Sequence, residues 1–289
     1  MQYKQKILVT GSNGQLGSEI KELASSYPAY DFHFFTRAEL SLDSSAIIEE
    51  IIAEVNPDYL INCAAYTAVD KAETEKEQAL QINGTAVGIM AEACAKLGAK
   101  FIHISTDYVF DGSIEKPLQE DAPVSPVNYY GESKSAGEQV VMQANAESII
   151  IRTSWVYSFY GKNFVKTMMR LMSEKESINV VGDQWGSPTY AADLAVAIMQ
   201  IITSGKWVPG IYHFSNEGVI TWAQFAGEIA SLIQSPCVVN SIPTSSYPTP
   251  AKRPLYSVMD KTKIQTCYGI NIKNWKESLA ICVRKLTAK

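Results

Sequence analysis

The amino-acid sequence predicts an α/β fold: a doubly wound parallel sheet with a smaller C-terminal α/β region. Three observations carry that expectation. Short apolar runs alternate strictly with longer segments of helical periodicity from residue 7 to about residue 152. The runs are nearly continuous in apolar residues, as strands covered on both faces require. The first run passes directly into a glycine-rich turn that opens a helix, and right-handed crossovers then put helices on both sides of the sheet, the Rossmann-type arrangement.

Residues 7–10, Ile-Leu-Val-Thr, read as the first strand. Gly11, Gly14 and Gly17 follow at a spacing of three, a variant of the dinucleotide fingerprint, with Asn13, Gln15 and Leu16 between them. Glycines allow a tight turn and close approach of backbone to a pyrophosphate, and the helix that follows offers free N–H groups to the anion. The second strand, 32–35, ends at Thr36 and Arg37. An acid commonly stands there to hold the ribose 2′-hydroxyl of NAD; Arg37 instead suits a 2′-phosphate, so NADPH is expected, with NADH the alternative. Asp43 or Ser44 caps a structural helix striped by Ile47, Ile48, Ile51, Ile52 and Val55.

The third strand, 59–63, ends in Ala64, Ala65 and Tyr66, small residues beside a ring that let a flat cofactor lie against backbone. Residues 69–77 read as a polar connection and 78–97 as one long helix, within which Asn83 has no local justification. A fourth strand, 100–105, contains His103, expected to be a satisfied core histidine, and delivers Thr106 and Asp107 to the carboxyl end where open α/β sheets bind ligands. Tyr130 and Lys134, four apart on the next helix, share a face. A hydroxyl, a phenol and an ammonium around one point suit proton exchange with a carbonyl or alcohol oxygen: Thr106 polarises it, Tyr130 acts as acid or base, and Lys134 lowers the phenol's pKa.

After a fifth strand, 148–152, the alternation loosens. Helices are expected over 163–174, 191–204 and from Thr221 to 233, with strands over 178–181 and 211–214. The loop 182–189, with its glycines, tryptophan and proline, suits a substrate lid or wall. Residues 235–258 are rich in proline and serine, and Lys252 and Arg253 there could hold a diphosphate. The division expected is a dinucleotide-binding part, 1–157, and a mainly substrate-binding part, 158–289, with segments near 190–235 returning to the first.

Composition bounds the function. A net charge of −5 without a long basic run argues against nucleic acid. No apolar run approaches the ~18 residues a membrane helix needs, and a polar opening precedes the first strand in place of a signal-peptide core, so a soluble cytoplasmic protein is expected. The five cysteines lack any Cys-x-x-Cys pair and the three histidines are far apart, so no metal site is read.

Taken together, Gly11-x-x-Gly14-Gln15-Leu16-Gly17, residues 62–73, Ser105 to Gly112, Tyr130 to Lys134, Arg152 to Tyr157, residues 182–189 and Arg253-Pro254-x-x-Ser257 closely resemble the dTDP-4-dehydrorhamnose reductases, a family of the extended short-chain dehydrogenase/reductase superfamily. The resemblance spans essentially the whole chain. It implies reduction of the 4-keto group of a dTDP-linked 4-keto-6-deoxy sugar to give dTDP-L-rhamnose, with Tyr130 as proton donor, Thr106 orienting the oxygen and Lys134 on the nicotinamide ribose. It also implies that Thr106, Asp107, Tyr130 and Trp155 meet the sugar, that Arg253 meets the diphosphate, and that the chain forms a homodimer, in some members through Mg2+. Relatives of the same fold include nucleotide-sugar epimerases and dehydratases and a regulatory subunit of methionine adenosyltransferase; intact Tyr130 and Lys134 favour the reductase.

Overall fold

The computed structural model describes residues 3–288. β1 (Gln5–Thr10) leads through the glycine turn into α1 (Gln15–Leu23) and then β2 (Tyr30–Phe35). α2 (Ser45–Val55) is capped by the Ser44 hydroxyl, which accepts from the Ile47 N–H, and ends where Asn56 turns left-handed. β3 (Tyr59–Asn62) follows. The stretch expected to be polar connection contains two short helices, α3 (Val69–Ala72) and α4 (Lys76–Leu80), and the latter continues through a π-helical turn at Gln81–Thr85 into α5 (Ala86–Leu97). That turn accommodates Asn83. β4 (Lys100–Thr106), α6 (Tyr129–Ala144) and β5 (Ile149–Thr153) complete the first half.

The second half runs β6 (Val156–Tyr157), α7 (Phe164–Glu174), β7 (Ser177–Val181), β8 (Trp185–Gly186), β9 (Thr189–Tyr190), α8 (Ala191–Thr203) and β10 (Gly210–Phe214). After β11 (Ile220–Thr221), Thr221 and Gln224 form a capping box at the start of α9 (Trp222–Leu232). β12 (Val238–Ile242) lies inside the proline- and serine-rich stretch and pairs in parallel with β7. Its mostly exposed two-stranded setting leaves no apolar alternation to read in advance. α10 (Thr262–Tyr268) and α11 (Trp275–Thr287), for which no expectation is stated above, end the described chain.

Six parallel strands form the central sheet in the order β10-β5-β4-β3-β1-β2. Alternate residues serve opposite layers: Ile7, Val9, Ile61, Ile102 and Ile151 pack with α1, α8 and α10, whereas Leu8, Leu60, Phe101 and Ile150 pack with α2, α5 and α6. A third core joins α7, α9 and α11 over β7. The chain leaves β1 toward β2 and returns on the other side as β3, so a crevice opens beyond the carboxyl ends of β1 and β3.

Candidate functional site

That crevice is a cleft of about 760 Å3, whose walls include Gly11, Asn13, Gly14, Gln15 and Leu16, then Cys63, Ala64, Ala65 and Tyr66, and opposite them Thr106, Asp107, Tyr130, Lys134 and Trp155. Gly11 has φ +62°, and a Cβ there would lie 2.8 Å from the Ala64 nitrogen. Gly17 is outside the cleft lining, and a Cβ there would strike the Gly11 carbonyl, so its lack of a side chain serves packing. Only glycine lets β1, β3 and α1 close to backbone contact. α1 begins without a side-chain cap and without an acid in its first turn, leaving its N–H groups to an anion. This cradle fits a dinucleotide.

At the other end of the wall the loop after β2 turns back, with the Leu40 N–H donating to the Thr36 carbonyl at 2.9 Å. Two acids thereby reach a strand end that carries none in the sequence itself. Glu39 accepts from the Thr36 N–H at 2.8 Å and from its hydroxyl at 2.9 Å, so Thr36 is engaged away from the cleft lining. Asp43 lines the cleft beside Arg37, whose Nη2 is 3.3 Å away; the capping of α2 falls to Ser44.

Tyr66 is held by the buried Asn83 amide, which accepts from the Tyr66 N–H at 2.9 Å and donates to its carbonyl at 3.1 Å and to the Ser133 hydroxyl at 3.0 Å. The π-helical turn aims Asn83 inward, so one side chain ties the Ala64–Tyr66 wall to α6. Asn128 starts α6, accepting from the Gly131 N–H at 2.8 Å and donating to the Lys252 carbonyl at 2.7 Å.

Beneath α6 lie two rows of buried polar side chains in register across the sheet. Thr10, Asn62 and His103 form one, and Lys134 docks on it, its Nζ donating to the Ile104 carbonyl at 2.7 Å and lying 3.2 Å from His103 Nε2. Ser105, Arg152 and His213 form the other, and Glu138 docks there. Its carboxylate accepts from the Ser105 hydroxyl at 2.5 Å and from Arg152 Nε and Nη2 at 2.9 and 2.6 Å. Burial pulls the Lys134 ammonium down to about 8, with Glu138 opposing. Burial pushes the Tyr130 phenol up to about 12; the neighbouring Thr106 hydroxyl opposes this and the Asp107 charge adds to it. The expected lowering of Tyr130 by Lys134 is therefore corrected for the protein alone: burial raises the phenol, and the ammonium is directed at the Ile104 carbonyl.

Thr106 Oγ1 accepts from the Tyr108 N–H at 3.2 Å and donates to Asp107 Oδ1 at 3.1 Å. Asp107 Oδ2 is buried with no hydrogen-bond partner among the described residues, and burial pushes this carboxyl up to about 6. Trp155, with φ +48°, stacks on Trp222 at a centroid distance of 3.6 Å, and both rings line the cleft. Trp222 was missed because a tryptophan after a helix cap reads as core. Arg253 stands outside the lining: its Nη1 and Nη2 donate to the Asp70 carboxylate at 2.5 and 2.9 Å. Among the described residues no group of three or more His, Cys, Asp or Glu side chains converges to hold a metal, so these residues offer Mg2+ no cage. None of the described helices is long and apolar enough to cross a membrane.

The chain matches the RmlD substrate binding domain family over residues 5–288. A dTDP-4-dehydrorhamnose reductase of Burkholderia thailandensis is 38% identical, over 98% of this chain and 100% of that protein. One from Sinorhizobium fredii is 41% identical, over 94% and 95% of the two chains. Among solved structures, a dTDP-4-dehydrorhamnose reductase from Bacillus anthracis in complex with NADP superposes with a TM-score of 0.94 at 38% identity, covering 98% of this chain and 100% of that one.

Proposed function

The chain belongs to the RmlD substrate binding domain family, that of the dTDP-4-dehydrorhamnose reductases, and from that premise we propose that it reduces the 4-keto group of dTDP-6-deoxy-L-lyxo-4-hexulose to give dTDP-L-rhamnose. The observation that carries this reading is the convergence of Thr106, Tyr130 and Lys134 on one wall of a cleft whose other wall is a glycine cradle. NADPH, with NADH as alternative, supplies the hydride when bound. Gly11, Asn13, Gly14, Gln15 and Leu16 take its pyrophosphate end, Arg37 its adenosine ribose, and Ala64, Ala65 and Tyr66 the flat face.

In this proposal Tyr130 donates the proton to the sugar oxygen as negative charge develops there, and Thr106 holds that oxygen by hydrogen bonding. Lys134 binds the nicotinamide ribose. Asp107, with a buried oxygen short of a partner, takes a sugar hydroxyl, and Trp155 walls the sugar. Arg253 takes the diphosphate by exchanging the Asp70 carboxylate for phosphate, one anion for another. The division at residue 157, a homodimer and a cytoplasmic location belong to the same proposal, and the return of β10 to the central sheet supports the shared segment near 190–235. The test is NADPH consumption with a panel of 4-keto nucleotide sugars and identification of the product. Net consumption with the dTDP-linked hexulose and formation of dTDP-L-rhamnose is the expected result; tightly held NAD+ with no net consumption would instead indicate an epimerase or dehydratase.

A further inference from the structure

The hydrogen-bond polarity of the row under Lys134 is determined by a backbone group. Asn62 Oδ1 accepts from the Ala64 N–H at 3.1 Å and from the Thr10 hydroxyl at 2.6 Å, so the amide oxygen faces those donors. Its Nδ2 hydrogens then point at His103 Nδ1, 3.0 Å away. Nδ1 must accept, and a neutral imidazole that accepts at Nδ1 carries its proton on Nε2. That N–H faces Lys134 Nζ at 3.2 Å. An ammonium there sets hydrogen against hydrogen, while a neutral amine, still donating to the Ile104 carbonyl, receives the Nε2–H in its lone pair. All three side chains are fully or almost fully buried, so water does not relieve the conflict.

We infer that His103 is a positioning residue that opposes the ammonium form of Lys134, so that the lysine takes up a proton from solution as the cofactor binds at mildly alkaline pH. A ligand oxygen placed against Nζ reverses the balance, because it gives the ammonium the acceptor that His103 denies it. Burial works in the same direction as His103 and the Glu138 charge works against it, and the other groups around the pair are committed elsewhere. On β4 the Ser105 hydroxyl is committed to Glu138, and on α6 the Glu138 charge is matched by Arg152 from β5 in a two-pronged pair. Tyr130 on α6 and Cys63 after β3 are both pushed up by burial and stay neutral. Asp107, after β4, meets Thr106. Burial and the Lys134 charge hold His103 itself well below the usual histidine range, which keeps it neutral.

The inference rests on the reading that Lys134 meets a nicotinamide cofactor, and two measurements separate the failures. In protein labelled with 15N-histidine, the ring-nitrogen shifts of His103, assigned with His103→Asn, should show the neutral Nε2–H tautomer from pH 6 to pH 9. An Nδ1–H tautomer or an imidazolium would overturn the inference without touching the cofactor reading. Calorimetric titration with NADPH in two buffers of different ionisation enthalpy then counts protons. With the lysine near 8, uptake is about nine-tenths of a proton at pH 9 and about one-tenth at pH 7. His103→Asn keeps an acceptor for Asn62 and removes the N–H that faces Lys134, so uptake should be smaller than in the unsubstituted protein, with the largest fall at the pH where that protein takes up half a proton. Equal uptake in the two proteins sinks the inference, and absence of NADPH binding at both pH values sinks the cofactor reading beneath it. If the variant does not fold, the tautomer of the unsubstituted protein, its three histidines assigned by contacts to neighbouring residues, still decides.

Discussion

Lys134 and Glu138 stand one turn apart on α6, and each descends onto a row of polar side chains carried by the strands beneath, yet the two rows are filled differently. Glu138 meets a guanidinium along two bonds and a hydroxyl, and Arg152 extends further to the Glu120 carbonyl at 3.2 Å and over the Phe110 ring at 5.0 Å. Every charge there has its counterpart. Lys134 has one carbonyl and a histidine that presents an N–H, and among the described residues no carboxylate forms an ion pair with it. A buried ion pair with its hydrogen bonds complete holds a helix in place, whereas a buried ammonium short of acceptors favours whatever ligand brings one. Lys134 is the end of the pair that lines the cleft.

The largest expected effect lies one turn above the incomplete row. Tyr130→Phe removes the proposed proton donor and leaves both rows standing, so single-turnover reduction should slow by roughly 10²–10⁴-fold. Cofactor affinity, read by fluorescence, should hardly change. An unchanged rate with chemistry limiting would remove Tyr130 from the proton-donor role and leave the cleft as a binding site only.

Next come two substitutions of opposite sign. Arg152→Met leaves Glu138 buried without its partner and should destabilise the fold by about 3–5 kcal/mol, measured as a lower urea midpoint. Lys134→Met should stabilise it. The lysine's folded value, about 8, lies below its unfolded value, so the folded state binds fewer protons through the window from about 10.5 down to 8 and stability is lost as pH falls through it. Below that window the loss amounts to roughly 3 kcal/mol, which the apolar side chain recovers at pH 7 and which should vanish by about pH 11. A Lys134→Met protein no more stable than the original at pH 7 would show that the ammonium is better satisfied than the two rows imply.

The two rows also mark what could be read in advance. Strand–turn–helix alternation, the glycine spacing and the Tyr130–Lys134 interval are local patterns, and they led to the sheet, the cradle and the side chains facing it. Which histidine nitrogen meets which amide is not local: His103 acquires its partners through the register of β1, β3 and β4, and in sequence it is one polar residue in an apolar strand. Asn83 shows the same limit. Its lack of a local justification was visible, but the π-helical turn that aims it at Tyr66 was not. The direction of the Tyr130 shift differs from the expected one for a related reason, since helical spacing announces a neighbouring ammonium and says nothing about the depth of burial that raises the phenol.

Arg37 and Asp43 supply the exposed counterpart of Arg152 and Glu138, the same pair of groups with the arginine side chain 71% exposed and one contact of 3.3 Å. In solvent such a pair contributes about 1 kcal/mol or less, so Arg37→Ala should leave the urea midpoint unchanged where Arg152→Met moves it far. The effect should appear in cofactor choice. Arg37 can attract a 2′-phosphate, while Asp43 beside it repels that phosphate and can accept from a 2′-hydroxyl. With the arginine gone only the acid remains, so NADPH should bind several-fold more weakly, on the order of 1 kcal/mol, and NADH should change by less than about twofold. Titrating both cofactors at low and high salt checks the cause: the NADPH difference should shrink as salt screens it. Equal losses for the two cofactors would mean that Arg37 only packs against the rim, and the preference for the phosphate form would then have no residue to carry it.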